Sequence, residues 1–333
     1  MTSRIPTLRH LAVILALAGA APACLAAQQR ERPERPERAE RPEPRERSER
    51  GEDVTRIDTT FAFSAGGSID LTQLSGNITV TAWNRREVRV NAYTEYGYLR
   101  ADLSSTRVSL EVRSRRSRMG ESEFRLSVPV GTRIIARSVS GDVTVTGVKA
   151  AVEARSVSGG IHVDDAAERI TLESVSGDVA ATQLVGTVRA QSVSGDVKLL
   201  GLAGDLDVES VSGEISLRDA KSANVRAETV SGSVEYRGTI DKGGRYEFKS
   251  HSGDIDLAMP EGVGATFSVS TFSGSVDSSI PMTLQPSEDM APKRRSKSME
   301  FSIGGGGARI TVRTFSGDIT IEKAGARPKR KED

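Results

Sequence analysis

Side chains able to do covalent or metal chemistry are sparse in this sequence of 333 residues, which has one cysteine, Cys24, and three histidines. His162 and His251 are the two histidines beyond the N-terminal segment. Neither has a second ligand or a base at short spacing, so an exposed or structural imidazole is expected at both. No Gly-x-Ser-x-Gly elbow and no His-Glu-x-x-His pair occurs. Serines are abundant, but they recur in Ser-Gly pairs with no base at the same spacing, which argues against a hydrolytic triad. One array of acids remains: Asp142, Asp178, Asp196, Glu214, Asp254 and Asp318, each directly after a Ser-Gly. Stacked carboxylates could hold Ca²⁺, which takes several oxygen ligands. Gly160, Ser233 and Ser275 interrupt the array, however, and no nonapeptide calcium repeat is present. Asp is also a favoured turn residue in its own right, and turn chemistry is the preferred reading. No catalytic, cofactor-binding or metal-binding residue is therefore assigned, no cofactor is expected, and the chain is read as non-enzymatic.

The acids and serines are placed by a repeat. Ser140-Gly141, Ser158-Gly159, Ser176-Gly177, Ser194-Gly195 and Ser212-Gly213 follow one another at 18 residues. The step then stretches to 19, 21 and 21 residues at Ser231-Gly232, Ser252-Gly253 and Ser273-Gly274, and a last copy, Ser316-Gly317, lies 43 residues on, close to two further steps. So short a unit cannot bury a core alone, and its copies must stack.

Aligning the copies separates inside from outside. Two residues after each Ser-Gly stand Val143, Ile161, Val179, Val197 and Ile215, and two further on Val145, Val163, Ala181, Leu199 and Leu217. The residues between them vary freely, which is the period of a strand with one buried face. Val148, Ala166, Leu184, Leu202 and Ala220 form a turn column. A second strand buries Val152/Ala154, Ile170/Leu172, Val188/Ala190, Leu206/Val208 and Val225/Ala227. The expected fold is all-β, a parallel β-solenoid (β-helix) with coils of 18–21 residues. A right-handed coil is favoured, because parallel crossovers are mostly right-handed and the aliphatic spacing does not follow hexads. Ten Ser-Gly copies, counting Ser75-Gly76, at ~4.8 Å per coil would make a rod roughly 50 Å long.

A further column, Val139, Val157, Val175, Val193, Val211 and Val230, sits between the two serines of each copy and continues as His251, Phe272 and Phe315. If the strand stays extended through the serines, these side chains point outward beside positions such as Arg137, Arg155 and Glu173, forming a partner surface. If the chain bends at the serines they pack inside, and this second arrangement is the expectation.

The flanking segments have other compositions. Residues 1–27 read as a signal peptide: Arg4 and Arg9, an apolar run from Leu11 to Ala20, and small residues through Ala27. Cys24 raises lipidation as an alternative to cleavage after Ala27. Residues 28–51 form an Arg/Glu/Pro tract with almost no apolar side chain, expected to be a disordered tether. The solenoid domain is placed at 52–325, with N-terminal coils and a cap over 52–135 and Ser-Gly coils over 136–325. A polar excursion interrupts the latter at 281–298, carrying the basic run Lys293-Arg294-Arg295-Ser296-Lys297, and a basic tail follows at 326–333. The formal charge of +1 gives no bias toward nucleic acid.

Two stretches resemble a known family. The Ser-x-Ser-Gly-Asp-Val/Ile copies from Ser138 to Asp318, and the leader Gly76-Asn77-Ile78-Thr79-Val80-Thr81-Ala82-Trp83 with Val88-Arg89-Val90, are similar to the bacterial "putative adhesin" family, a secreted β-helix domain of unknown function. The resemblance implies a β-solenoid in the cell envelope with an adhesion or scaffolding role. It brings no catalytic residue with it. The expected function is a non-enzymatic, secreted or cell-envelope binding module. The alternatives are a polysaccharide-active β-helix enzyme and a calcium-stiffened rod. The expected partner is an envelope protein or a glycan, with no nucleic acid and no integral membrane span. The protein is expected to be a monomer located in the periplasm, on the outer-membrane surface or outside the cell.

Overall fold

Period-two alternation calls for strands, and the computed structural model is built from them. It describes residues 55–113, 120–281, 283–284 and 297–324, which form strands, turns and bends and no helix. The chain divides into Met1–Glu49 and Arg50–Asp333, and the second unit carries the fold. The segment read as a signal peptide, Cys24, the Arg/Glu/Pro tract, the basic run at 293–296 and the tail at 326–333 lie outside the described residues.

In the repeat region each coil contributes one strand before its Ser-Gly and one after it. Val143–Thr146 pairs in parallel with Ile161–Asp164, which pairs with Val179–Ser194. On the other wall Val152–Ser158 pairs with Ala167–Ser174, which pairs again with Val179–Ser194. The register is one repeat throughout: Ile170 lies opposite Val152 on one side and Val188 on the other. The inward columns read from the sequence are buried, including the turn column Val148, Ala166, Leu184, Leu202 and Ala220.

Coil length follows core volume. The 21-residue step from Ser231 to Ser252 encloses Tyr236, Tyr246 and Phe248, all fully buried where shorter coils have Val, Leu or Ala. Both phenols are satisfied: Tyr236 Oη donates to the Thr239 carbonyl at 2.9 Å, and Tyr246 Oη donates to the Ser222 carbonyl at 2.6 Å. Burial raises the pKa of both. A rigid aromatic thus fills a wider coil without leaving its polar tip unpaired.

At the ends the expected all-parallel, sequential stack gives way to a mixed sheet. Ser68–Trp83 is not the outermost coil: it lies between Ser122–Pro129 and Val143–Thr146 on one wall, and between Arg107–Arg113 and Arg133–Ser140 on the other. The chain lays down its second coil, runs out to make the first, and returns to start the third. The C-terminal end mirrors this. The final repeat does not lie two steps beyond Ser273-Gly274. Instead Ala308–Ser316 and Ile319–Lys323 insert between the Ser252 coil and the Ser273 coil. Antiparallel strands cover the outer coils: Glu87–Thr94 and then Arg56–Ala62 beside Ser122–Pro129, Tyr98–Leu103 beside Arg107–Arg113, and Lys297–Ile303 beside Ala265–Ser273. Short reversed strands are a known way to protect the open edge of a sheet.

Candidate functional site

The Ser-x-Ser-Gly-Asp motif forms one corner of the solenoid, and each of its residues has a separate structural reason. A Cβ built on any of Gly141, Gly159, Gly177, Gly195, Gly213, Gly232 or Gly253 would overlap the carbonyl oxygen of the glycine one coil away. Close approach of backbones excludes a side chain here whatever the φ angle. The Gly N–H groups donate to the second serine of the next coil, as in Gly141 to Ser158 at 3.2 Å and Gly232 to Ser252 at 3.0 Å. The first serine is buried, and its hydroxyl donates back to the glycine carbonyl: Ser156 to Gly141 at 3.4 Å, Ser174 to Gly159 at 3.4 Å, Ser250 to Gly232 at 3.2 Å. These are long bonds, and the hydroxyls of Ser138, Ser210, Thr229 and Thr271 at equivalent positions have none.

The acid column is turn chemistry. Asp142 Oδ1 accepts from Gly160 N at 2.8 Å, Asp178 from Asp196 N at 2.9 Å, Asp196 from Glu214 N at 3.0 Å, and Asp254 from Asp318 N at 2.8 Å. Each carboxylate caps the exposed N–H of the coil above and so ties successive turns together. Asp196 also accepts from Lys198 at 2.8 Å; that bond first, and then the Glu214 N–H, hold its pKa below the ordinary range. Among the described residues no group of three or more His, Cys, Asp or Glu side chains is placed to hold a metal ion.

The valine column corrects the expectation. The strands run unbroken through both serines, as Arg133–Ser140 and Val152–Ser158 show, and the chain turns only at the glycine. Strict alternation therefore sends Ala136 and Ser138 inward and Arg137 and Val139 outward. Val139 is 41% exposed, Val157 45%, Val193 44%, Val230 48%, Phe315 48% and Phe272 43%; Val175 and Val211 are half-buried. Leu74, ahead of Ser75-Gly76, heads the same column next to Val139, a member that aligning only the later copies leaves out. The interleaved C-terminus decides the other end: Phe315 lies between His251 and Phe272. His251 stacks on Phe315 with ring centroids 4.9 Å apart, and Phe272 stacks on its other face at 4.7 Å. The result is a ridge of ten side chains, nine of them apolar, ending in a three-ring stack.

A β-branched residue suits an outward strand position even without a partner. The neighbouring column shows what this wall carries otherwise: Arg137, Arg155, Glu173, Gln191, Glu209, Glu228, Lys249 and Arg313. It is laced by ion pairs, between coils from Arg137 to Asp70 at 3.0 Å, Arg155 to Glu173 at 3.2 Å and Lys249 to Glu228 at 2.7 Å, and along one strand from Arg155 to Glu153 at 3.3 Å and Arg226 to Glu228 at 2.9 Å. A contiguous apolar line beside a charged one is the pattern of an interaction surface. Elsewhere, a cleft of about 260 Å³ between Met259, Val263, Ile280 and Ile303 is lined mainly by apolar groups, with Glu261 and Lys323 paired at its rim. His162 is exposed on Ile161–Asp164, remote from the ridge's aromatic end. No helix among the described residues is long and apolar enough to cross a membrane.

The chain is similar to several solved structures. One is described as a "putative cell adhesion protein" from Clostridium sporogenes, at 8% identity over 80% of this chain and 99% of that one, with a TM-score of 0.23. A "putative adhesin" from Bacteroides fragilis shares 16% identity over 80% and 96% of the two chains, at 0.36. A "putative lipid binding protein" from Parabacteroides distasonis shares 8% over 81% and 97%, at 0.38. No curated protein matches the sequence. The model of the family described as Toastrack DUF4097 matches residues 117–241 and again 203–322, and the chain belongs to that family.

Proposed function

We propose that this protein is a non-enzymatic binding module of the cell envelope or the cell exterior, and that it binds through the outward ridge from Leu74 to Phe272. The observation that carries this reading is the line of ten outward, partly exposed side chains, nine of them apolar, beside a column rich in paired charges. Leaving one Val half exposed forgoes about 1 kcal/mol of burial, so a whole column of them on a single wall points to a surface that is covered in use. The fold supports such a role, because a solenoid offers an extended face assembled from many repeats. The polysaccharide-enzyme alternative needs clustered acids, and of the corner carboxylates Asp142, Asp178, Asp196, Asp254 and Asp318 each accept a backbone N–H. The composition of residues 1–27 supports export, and an exported ridge would meet envelope proteins and glycans.

The test is retention of the purified protein on a panel of bacterial and plant glycans and peptidoglycan, with and without calcium. Saturable binding that Val157→Asp and Val193→Asp abolish, at an unchanged melting temperature, supports the reading. Turnover of any of these polymers that a single carboxylate substitution removes would overturn it.

A further inference from the structure

The ridge has a property that narrows what can cover it: its side chains recur once per coil, at the ~4.8 Å spacing of paired strands, over ten coils. A partner that matches it along its whole length must present apolar groups at the same repeat. A second copy of this chain does so by construction, and identical ladders at one spacing pack side chain to side chain. The area is sufficient. Ten side chains about half exposed amount to roughly 600 Å² per copy, or ~1,200 Å² for two, which is where specific association begins. We propose that two copies of this chain associate side by side through the ridge, with their rods parallel. This rests on the ridge being a binding surface, as proposed above.

Charge selects the direction. One flank of the ridge carries, in spatial order, Thr72, Arg137, Arg155, Glu173, Gln191, Glu209, Glu228, Lys249, Arg313 and Ser270; the other carries the corner acids. An antiparallel two-fold pair lays the first flank against itself in reverse. Arg137 would then face Arg313, Arg155 would face Lys249 and Glu173 would face Glu228, all like charges. A parallel pair, related by a two-fold along the rods, lays the first flank against the second. Arg137 then faces Asp142, Lys249 faces Asp254 and Arg313 faces Asp318 of the other copy, each twice by symmetry. Two like contacts fall in the middle, Glu173 on Asp178 and Glu209 on Glu214. Their first members are engaged on their own wall, Glu173 with Arg155 at 3.2 Å and Glu209 with Gln191 at 2.8 Å, as are Arg137 with Asp70 at 3.0 Å and Lys249 with Glu228 at 2.7 Å, so three opposite-charge contacts stand against two like ones. In the parallel pair every ridge residue meets its own copy.

Sedimentation velocity of the full chain carrying Cys24→Ser measures the association. A dimer is expected, with Val157→Asp plus Val193→Asp raising its dissociation constant at least ~10-fold while the melting temperature holds. Direction is read by adding single cysteines and a short thiol crosslinker. Val139→Cys, Val193→Cys and Phe272→Cys are each expected to crosslink to themselves. A monomer at all concentrations up to about 100 µM overturns the proposal. So does a dimer that the two Asp substitutions leave intact, or one in which Val139→Cys joins only Phe315→Cys. A monomer that still loses glycan retention on Val157→Asp would refute self-association alone and leave the ridge to a foreign partner. Loss of neither activity would refute both readings.

Discussion

At the scale of single residues, the repeat motif divides into positions held by sterics and positions held by weak polar contacts. Gly177 stands where any Cβ would overlap the Gly159 carbonyl, and backbone cannot retreat from backbone without opening the strand pairing on both sides. Gly177→Ala is expected to destabilise the protein by on the order of 3 kcal/mol. Ser174, three residues earlier and equally regular in the sequence, makes one 3.4 Å bond, and Ser138 and Ser210 do without theirs. Ser174→Ala should therefore cost no more than about 1 kcal/mol. Chemical denaturation of the two variants checks the ranking, and equal losses would show that the corner is held by its hydroxyls. Regularity in a sequence thus does not measure energetic weight.

At the scale of the strand, stability on the outer walls depends on carboxylates that the coils share. Burial works to raise Glu235, but the hydrogen bonds from Arg218 at 2.7 Å, Arg237 at 2.5 Å and Ser216 at 2.9 Å outweigh it and leave its pKa lowered. Glu228 follows the same pattern, with Arg226 and Lys249 as donors. A carboxylate lowered in the folded state contributes stability above its unfolded pKa, and that stability is lost as pH falls through the folded value. Asp256 on the next coil runs the other way: desolvation first, then Asp254 and Glu235, raise it, so acid relieves it. With Asp196, three lowered carboxylates against one raised make the balance an acid loss. The melting temperature should fall as pH drops below about 4, the ordinary carboxylate range. Glu235→Gln should flatten that fall while lowering stability at pH 7. Thermal melts of both proteins from pH 2 to 7 measure it, and parallel curves would remove Glu235 from the account.

At the scale of the molecule, both ends are interleaved. In a sequential solenoid the last coil can be removed at the cost of one interface. Here the last strands among the described residues, Ala308–Ser316 and Ile319–Lys323, are an internal layer. Truncation after Gly304 would leave Ala265–Ser273 without its parallel neighbour and the Ser252 coil with an open edge. The melting temperature is expected to fall by on the order of 10 °C, far more than loss of a terminal coil would cause. A truncated protein that melts like the full chain would show the end coils to be independent. The same interleaving builds the aromatic end of the ridge, since it places Phe315 between His251 and Phe272.

The inward columns and the coil period were legible in the amino-acid order, because burial in a strand has a period of two and stacking repeats it every coil. Val188, Leu206 and Val225 could be placed inside from spacing alone. The outward turn of Val139 could not, because it depends on where the strand ends. Ser-Val-Ser reads equally as a bend or as extended chain until the glycine is seen to be the one residue with no room for a Cβ. Likewise, 43 residues between Ser273 and Ser316 fit two further coils as well as an excursion and a return. Only pairing decides: Ile319 bonds between Ile255 and Val276 because that slot joins its strand to a neighbour on both edges, where a place beyond Val276 would leave one edge open.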